Sequence, residues 1–465
     1  SMPAGELDGF DRLYLDHGLT ATWDGSITML AGSAVGGGTV VNWLTCVAPP
    51  DDVRHDWAAR HGIDGVDTAS FAADVVTLEH ELQVAPASSV PPKDETILRG
   101  AEALGWRAGT IRRNSPGCDD CGSCGLGCPR GTKQSGLRAH LATAAAAGAR
   151  VLPTARVARV VVENGRATGV EGSWRADDGA TRPFVVRAGQ VVVAAGALRT
   201  PGILARSGIT HPALGRHLRV HPVPVVAARM LDPVRMWEGT TQAARIDEFS
   251  ASGGGRNGYV IESVPALPGL LALAVPWESA DAHAEVMERS ASIVPLIAVT
   301  RDGGEGRVTD TKAGNTRIDY TLDGTGIATM RHALASMARV ARAAGAVEIL
   351  ALGTPPVVFG RDGVPSGGEE RAFRAFEERL ERFDFGPNRG GVYSAHQMGT
   401  CRMGADAAAH PCDPSGRVRG SRRGEVVAGL YVADSSLFPT AIGVNPMITV
   451  MALARRVART VAAEA

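Results

Sequence analysis

Lysine is nearly absent from this chain. Three occur in 465 residues (Lys93, Lys133 and Lys312), so arginine supplies almost all of the 48 basic side chains, which face 49 acidic ones. The formal net charge of −1 leaves no basic field, which excludes the electrostatic footprint of a nucleic-acid-binding protein. Long apolar runs are missing too: none approaches the ~18 residues of a membrane-spanning helix. No basic stretch followed by an apolar one marks a secretory leader, and no internal repeat or low-complexity linker divides the chain. The expectation is a cytoplasmic protein, with contact at a membrane surface left open. Hydrophobic residues make up 44%, enough for a sizeable core in two or three domains. Seven cysteines, four of them between 118 and 128, do not read as a disulfide framework in a long chain without a leader. They point to metal or redox chemistry.

Glycine is in excess. The 57 glycines amount to roughly 12% against a usual ~7%. They follow no collagen period, so they mark places where backbone approaches something closely. One group is Gly32-Ser33-Ala34-Val35-Gly36-Gly37-Gly38-Thr39, ahead of Asn42 and Trp43. Residues 51–110 read as helix and loop. From 150 to 193, short β-branched runs (157–162, 167–174, 182–188 and 190–193) separated by turns read as a β-meander. The last of these enters Ala195-Gly196 and a helix, a strand–turn–helix of dinucleotide-fold character. Between 218 and 385, strands at 222–230, 257–263, 270–275, 293–300 and 316–320 mix with helices at 280–290, 326–345 and 368–383. That texture is a separate α+β layer on an antiparallel sheet.

Two C-terminal segments carry chemistry. Asn445-Pro446 before Met447-Ile448-Thr449 predicts a helix with an N-cap and a first-turn proline; its free N–H groups suit a group that becomes anionic. The loop Tyr393-Ser394-Ala395-His396-Gln397-Met398-Gly399-Thr400 places a histidine, a natural general base, among glycine and small residues. His217 and His221, at the handover into the α+β layer, read as structural.

In combination, the segments 32–43, 196–208, 396–404 and 429–454 resemble the glucose–methanol–choline (GMC) oxidoreductases, in that family's order and over most of the chain. The long-chain fatty-alcohol oxidase branch is the most similar; it also has a cysteine-rich segment ending in a Gly-x-Lys-Gln-Ser-like run, here Gly131-Thr132-Lys133-Gln134-Ser135. The resemblance implies FAD as cofactor and oxidation of an alcohol by hydride transfer to flavin N5, with oxygen or another acceptor taking the electrons onward. It implies an α/β FAD/NAD(P)-binding, Rossmann-like domain (3–215 and 390–465, with a cysteine-rich insert at 118–135) interleaved with an α+β substrate-binding domain on an antiparallel sheet (216–389). By motif, His396 is the base at the substrate hydroxyl and Asn445 the second active-site residue. Gly37, Gly38, Thr39 and Asn42 would lie along the flavin, and Val157 would meet the adenine. Ala195 and Gly196 would pack on the dinucleotide, Asp434 and Ser435 would contact the ribityl–phosphate region, and Pro446 and Met447 would face the flavin ring.

Two features stand apart. Cys118-x2-Cys121-x2-Cys124-x3-Cys128-Pro129 has the spacing of a bacterial ferredoxin run, so an iron–sulfur cluster, a zinc site and plain structural cysteines all stay open. The strand, Gly-x-Gly-x-x-Gly turn and helix that open such a dinucleotide fold are not found at the start, so the FAD-binding domain is expected to be N-terminally truncated. A flavin-free remnant acting as a binding or iron–sulfur module is the competing expectation.

Overall fold

The computed structural model describes residues 5–465 apart from 256, 312–314, 361–367 and 422; Pro3, where the first expected domain begins, lies outside them. Two sheets organise the molecule. The strand Val223–Arg229 lies near the middle of a ten-stranded sheet, paired antiparallel with Ile293–Thr300 on one side and Glu348–Ala351 on the other. Tyr259–Ser263 follows Ile293–Thr300, also antiparallel. Val392–Ser394 joins Val223–Arg229 at its start and pairs in parallel with Thr28–Met29.

Alternation along these strands separates core from cavity. Val226 and Ala228 turn to one face and pack against Met330, Leu334, Met337 and Ala341. Those residues belong to the helix Gly324–Ala343, whose N-terminus is capped by the Asp323 carboxylate on the Gly326 amide at 2.8 Å. The odd-numbered residues 223, 225, 227 and 229 turn to the other face and line a cavity.

The second sheet has six strands. Ala155–Glu163, Arg166–Arg175 and Thr181–Arg187 form the expected meander. The fourth run leaves it: Val191–Val193 lies parallel to Val426–Val432 instead. Val191 and Val193 are buried, whereas Val192 is turned out and lines the cavity. Gly196, at φ 78°, then turns the chain into the helix Thr200–Arg206. The helix Met447–Ala463 closes this half, burying Ile448, Leu453 and Val457 with Leu430, Val432, Trp57 and Val160 in a second core.

Two local expectations are corrected. The run at 270–275 is not a strand but the end of the helix Pro268–Ala274. Its leucines and alanines favour helix, and Pro268 occupies the first turn, where proline is tolerated. The helix after Asn445 begins at Met447, with Pro446 in the cap position and no side-chain cap; the Asn445 amide is engaged elsewhere.

Candidate active site

A cavity of about 2000 Å3 opens between the two halves, larger than the roughly 300–1,000 Å3 of an ordinary small-ligand pocket. The residues that the sequence assigns to a cofactor (Gly37, Gly38, Thr39, Asn42, Val157, Ala195, Gly196, Asp434, Ser435, Pro446 and Met447) all line it, and so do His396 and Asn445.

The glycine-rich wall is built from backbone and short side chains. Gly37, at φ 60°, starts the single turn Gly38–Val41. A Cβ added to Gly37, Gly38 or Gly196 would meet nothing within 4 Å, so these backbones face open space. Thr39 Oγ1 donates to the Gly36 carbonyl at 2.5 Å and accepts from the Gly136 amide at 2.9 Å. Asn42 Nδ2 reaches Met447 Sδ at 2.9 Å, while its buried Oδ1 has no partner. Beneath this loop the buried Lys133 ammonium donates to the carbonyls of Val40, Asn42 and Cys124 at 2.6, 2.7 and 3.1 Å. The Gly-x-Lys-Gln-Ser-like run therefore acts as a tether, and burial brings the lysine down to about 7. Asp434 acts from below as well: its Oδ2 accepts from the Gly196 amide at 2.9 Å and Thr200 Oγ1 at 2.6 Å, and its Oδ1 from the Ser436 amide at 2.8 Å. That carboxylate locks the 196–200 turn to the 434–436 loop.

The same cavity carries a cluster of titratable groups. His396 Nδ1 lies 3.2 Å from His221 Nδ1. Asn445 Nδ2 donates to Glu262 Oε2 at 3.4 Å, and Gln242 Nε2 donates to the same oxygen at 2.8 Å. Glu262 is 1% exposed, and burial lifts its carboxyl to about 7. Burial likewise holds the His396 imidazole down to about 4. Glu262 Oε1 and Asn445 Oδ1 have no partner. In a low-dielectric site such atoms are costly unless a ligand meets them.

Glu262 and His221 are the two residues that sequence reading underrates. Glu262 is a lone acid in Tyr259-Val260-Ile261-Glu262-Ser263, a strand buried at every position. An acid inside such a run was the available signal. His221, read from the sequence as structural, reaches the site through its tertiary pairing with His396.

From Glu262 an apolar floor extends along the sheet. Glu262 stands opposite Ile297, which pairs with Val225. The next row is Pro295, Ala227 and Leu350, and the one after it Ile293, Arg229 and Glu348. Four residues of strand separate the first row from the last, about 13 Å. At the far row Arg229 faces Glu348 at 3.4 Å, with Arg289 beside it at 3.7 Å. The helix Pro268–Ala274 roofs the floor with Leu270, Leu271 and Ala274. Its Gly269 and Leu270 amides donate to the Glu6 carboxylate at 2.8 and 2.7 Å, and its Ala274 carbonyl accepts from the Tyr393 hydroxyl at 3.0 Å.

Of the three readings left open for the cysteine run, the structure gives no support to a metal site. All seven cysteines are free thiols, and among the described residues no three His, Cys, Asp or Glu side chains converge to hold a metal ion. The four side chains have different surroundings. Cys121 is exposed. Cys124 is buried and accepts from Arg113 Nη2 at 3.7 Å, and Cys128 meets Thr132 Oγ1 at 3.5 Å. Cys118 is half-buried.

Comparison with known proteins places the chain. Residues 10–223 and 303–454 match the two profiles of GMC oxidoreductases. An uncharacterised GMC-type oxidoreductase of Mycobacterium tuberculosis is 36% identical over 456 residues, covering 97% of this chain and 68% of the relative. The long-chain-alcohol oxidase FAO4A of Arabidopsis thaliana is 32% identical over 466 residues, and the chain spans 61% of its length. Among solved structures, pyridoxine 4-oxidase from Mesorbium loti superposes with a TM-score of 0.65 at 18% identity, covering 94% of this chain and 85% of that one. A formate oxidase gives 0.60 at 14%, with the same coverage of both chains. By sequence over most of its length and by fold, the chain belongs to the GMC oxidoreductase family.

Proposed function

We propose that this protein oxidises an apolar, chain-like alcohol with FAD. The observation that carries this reading is one cavity lined both by the glycine-rich segment and by His396, Asn445 and Glu262, with an apolar floor leading away from them.

The residues present fit the cofactor. Backbone at Gly37, Gly38 and Gly196 faces open space, the unpartnered Asn42 Oδ1 stands beside it, and a helix starts at Met447 with first-turn amides suited to negative charge. In this reading 3–215 and 390–465 hold the cofactor and 216–389 shape the substrate side. FAD held there supplies the acceptor for a hydride. The protein's own part is to hold the hydroxyl and take its proton. His396 and Asn445 hold the oxygen, because both project into the cavity and an alcohol must be fixed as its proton leaves. Two groups are placed to take that proton: the His396 imidazole expected from the sequence, and the Glu262 carboxylate with its unpaired Oε1.

The apolar rows between Glu262 and Arg229 favour an aliphatic alcohol over a sugar, since a sugar would bury its hydroxyls against Val225, Ala227, Pro295 and Leu350 unbonded. The plant relatives named as long-chain-alcohol oxidases agree with that choice. The test is anaerobic addition of a series of primary alcohols, and of glucose, to the flavin-loaded protein while its visible absorption is followed. Bleaching by decanol and dodecanol well ahead of ethanol and glucose is expected. Bleaching by glucose alone, or protein that takes up no flavin, overturns the reading.

A further inference from the structure

His221 is buried, with no exposed surface, and both of its ring nitrogens are engaged. Nε2 accepts two backbone hydrogen bonds, from the Ile442 amide at 3.2 Å and the Gly443 amide at 2.9 Å. A nitrogen that receives two N–H groups carries no proton, so the proton of this imidazole sits on Nδ1. That nitrogen lies 3.2 Å from His396 Nδ1. The hydrogen bond therefore runs from His221 to His396. His396 Nδ1 is the acceptor, and the one proton of a neutral His396 is on Nε2.

We infer that His221 is a positioning residue that fixes His396 as the Nε2–H tautomer, so that His396 offers the substrate oxygen a hydrogen-bond donor. This rests on the reading above, that His396 stands at the reacting hydroxyl. It assigns the proton as well. With Nδ1 committed to His221 and Nε2 already protonated, His396 has no lone pair for the alcohol proton, which goes to Glu262 Oε1 as the O–H bond breaks.

The surrounding fold supports this as a built arrangement. His221 sits at φ 46°, a left-handed conformation that ordinary residues adopt only where the surroundings hold them in it. Asp302 holds it there, its two carboxylate oxygens accepting from the Val220 and His221 amides at 3.1 Å each, and Tyr320 donates to the same carboxylate at 2.5 Å. Gly443, at φ 72°, turns its amide toward Nε2. Ser394 ties the two histidine loops together, donating to the Val220 carbonyl at 2.5 Å and accepting from the His396 amide at 3.3 Å. The charged and titratable groups around the ring are His396, Arg301 and the Asp302 carboxylate. Burial first, then the neighbouring His396 and Arg301, keep His221 well below its ordinary range.

The test reads protons directly. In protein labelled with 15N in its histidine rings, nitrogen shifts and ring couplings report which nitrogen of each imidazole is protonated, with His396→Gln used to assign the signals. Wild type is expected to show His396 protonated on Nε2 and His221 on Nδ1. His221→Gln supplies an amide oxygen for the two backbone donors and an N–H for His396, and should keep the His396 tautomer. His221→Leu should lose it, giving a mixed tautomer, with kcat on a long-chain alcohol lowered at least tenfold, KM little changed, and most of kcat restored in His221→Gln. A His396 protonated on Nδ1 in wild type overturns the inference, as does an unchanged tautomer in His221→Leu. Should His221→Leu fail to fold, wild type and His221→Gln still decide. If the tautomers are as stated but no alcohol bleaches the flavin, the functional reading falls and this assignment stands.

Discussion

Glu262 is buried against Gln242 and Asn445 with one oxygen left over, and that leftover oxygen makes its protonation state consequential. A carboxyl lifted to about 7 is neutral below that pH and a base above it. Alcohol oxidation should therefore rise with pH through about 7. Glu262→Gln, close in shape but unable to take a proton, should lower kcat by roughly 10²–10⁴-fold and remove that rise; kcat measured from pH 5.5 to 9 decides. A second pair of imidazoles acts on stability instead. His61 Nδ1 and His410 Nε2 stand 3.0 Å apart, and burial, then the facing His410, hold His61 to about 4. An unfolded imidazole takes its proton near 6.5. The depressed folded value thus gives stability that is complete above about 6.5 and lost as pH falls toward 4. His61 is half-buried, so screening reduces the effect to about 1 kcal/mol. Urea midpoints at pH 7.5 and 5 should draw closer together in His410→Gln than in wild type. His217, also lowered to about 4, contributes equally to both.

At the scale of elements, one strand serves two roles through its alternation. The even side of Val223–Arg229 supports the helix Gly324–Ala343 and the odd side floors the cavity. Ala227 is the small residue of the middle row, between Pro295 and Leu350. Ala227→Phe should block the floor about two residues, or ~7 Å, beyond Glu262. The expected outcome is a loss of about tenfold or more in kcat/KM for dodecanol, with butanol nearly unaffected. Equal losses for both alcohols would mean that the floor does not carry the chain. The roof shows why local reading failed nearby. The short apolar run after Pro268 suits a strand or a helix by pattern; its Leu/Ala content and first-turn proline favour helix, and remote groups reinforce both ends: the Glu6 carboxylate on the first amides and the Tyr393 hydroxyl on the last carbonyl.

At the scale of the molecule, much was legible because the glycine-rich side of the cavity is made of local signals. Glycines with open space beside them, the Val191–Val193 strand entering Gly196, and proline before Met447 each act through their own backbone. What was not legible arises from pairing across the fold. His221 meets His396 from 175 positions away, and Asn445 meets Glu262 from 183. The cysteine spacing left three readings open for the same reason: intervals alone do not say whether side chains converge, and among the described residues no three such ligands do. The chain spans about three fifths of the plant alcohol oxidases it matches. Glu6 belongs to the same class of remote pairings: it lies on the helix Glu6–Leu13 yet holds the helix that roofs the cavity. Glu6→Ala should release that latch at a cost of about 1–2 kcal/mol of local order. Amide exchange at Gly269 and Leu270 should quicken and KM for long alcohols should shift, while the melting temperature hardly moves. A change within the helix Glu6–Leu13 would then act on what the cavity admits rather than on whether the chain folds.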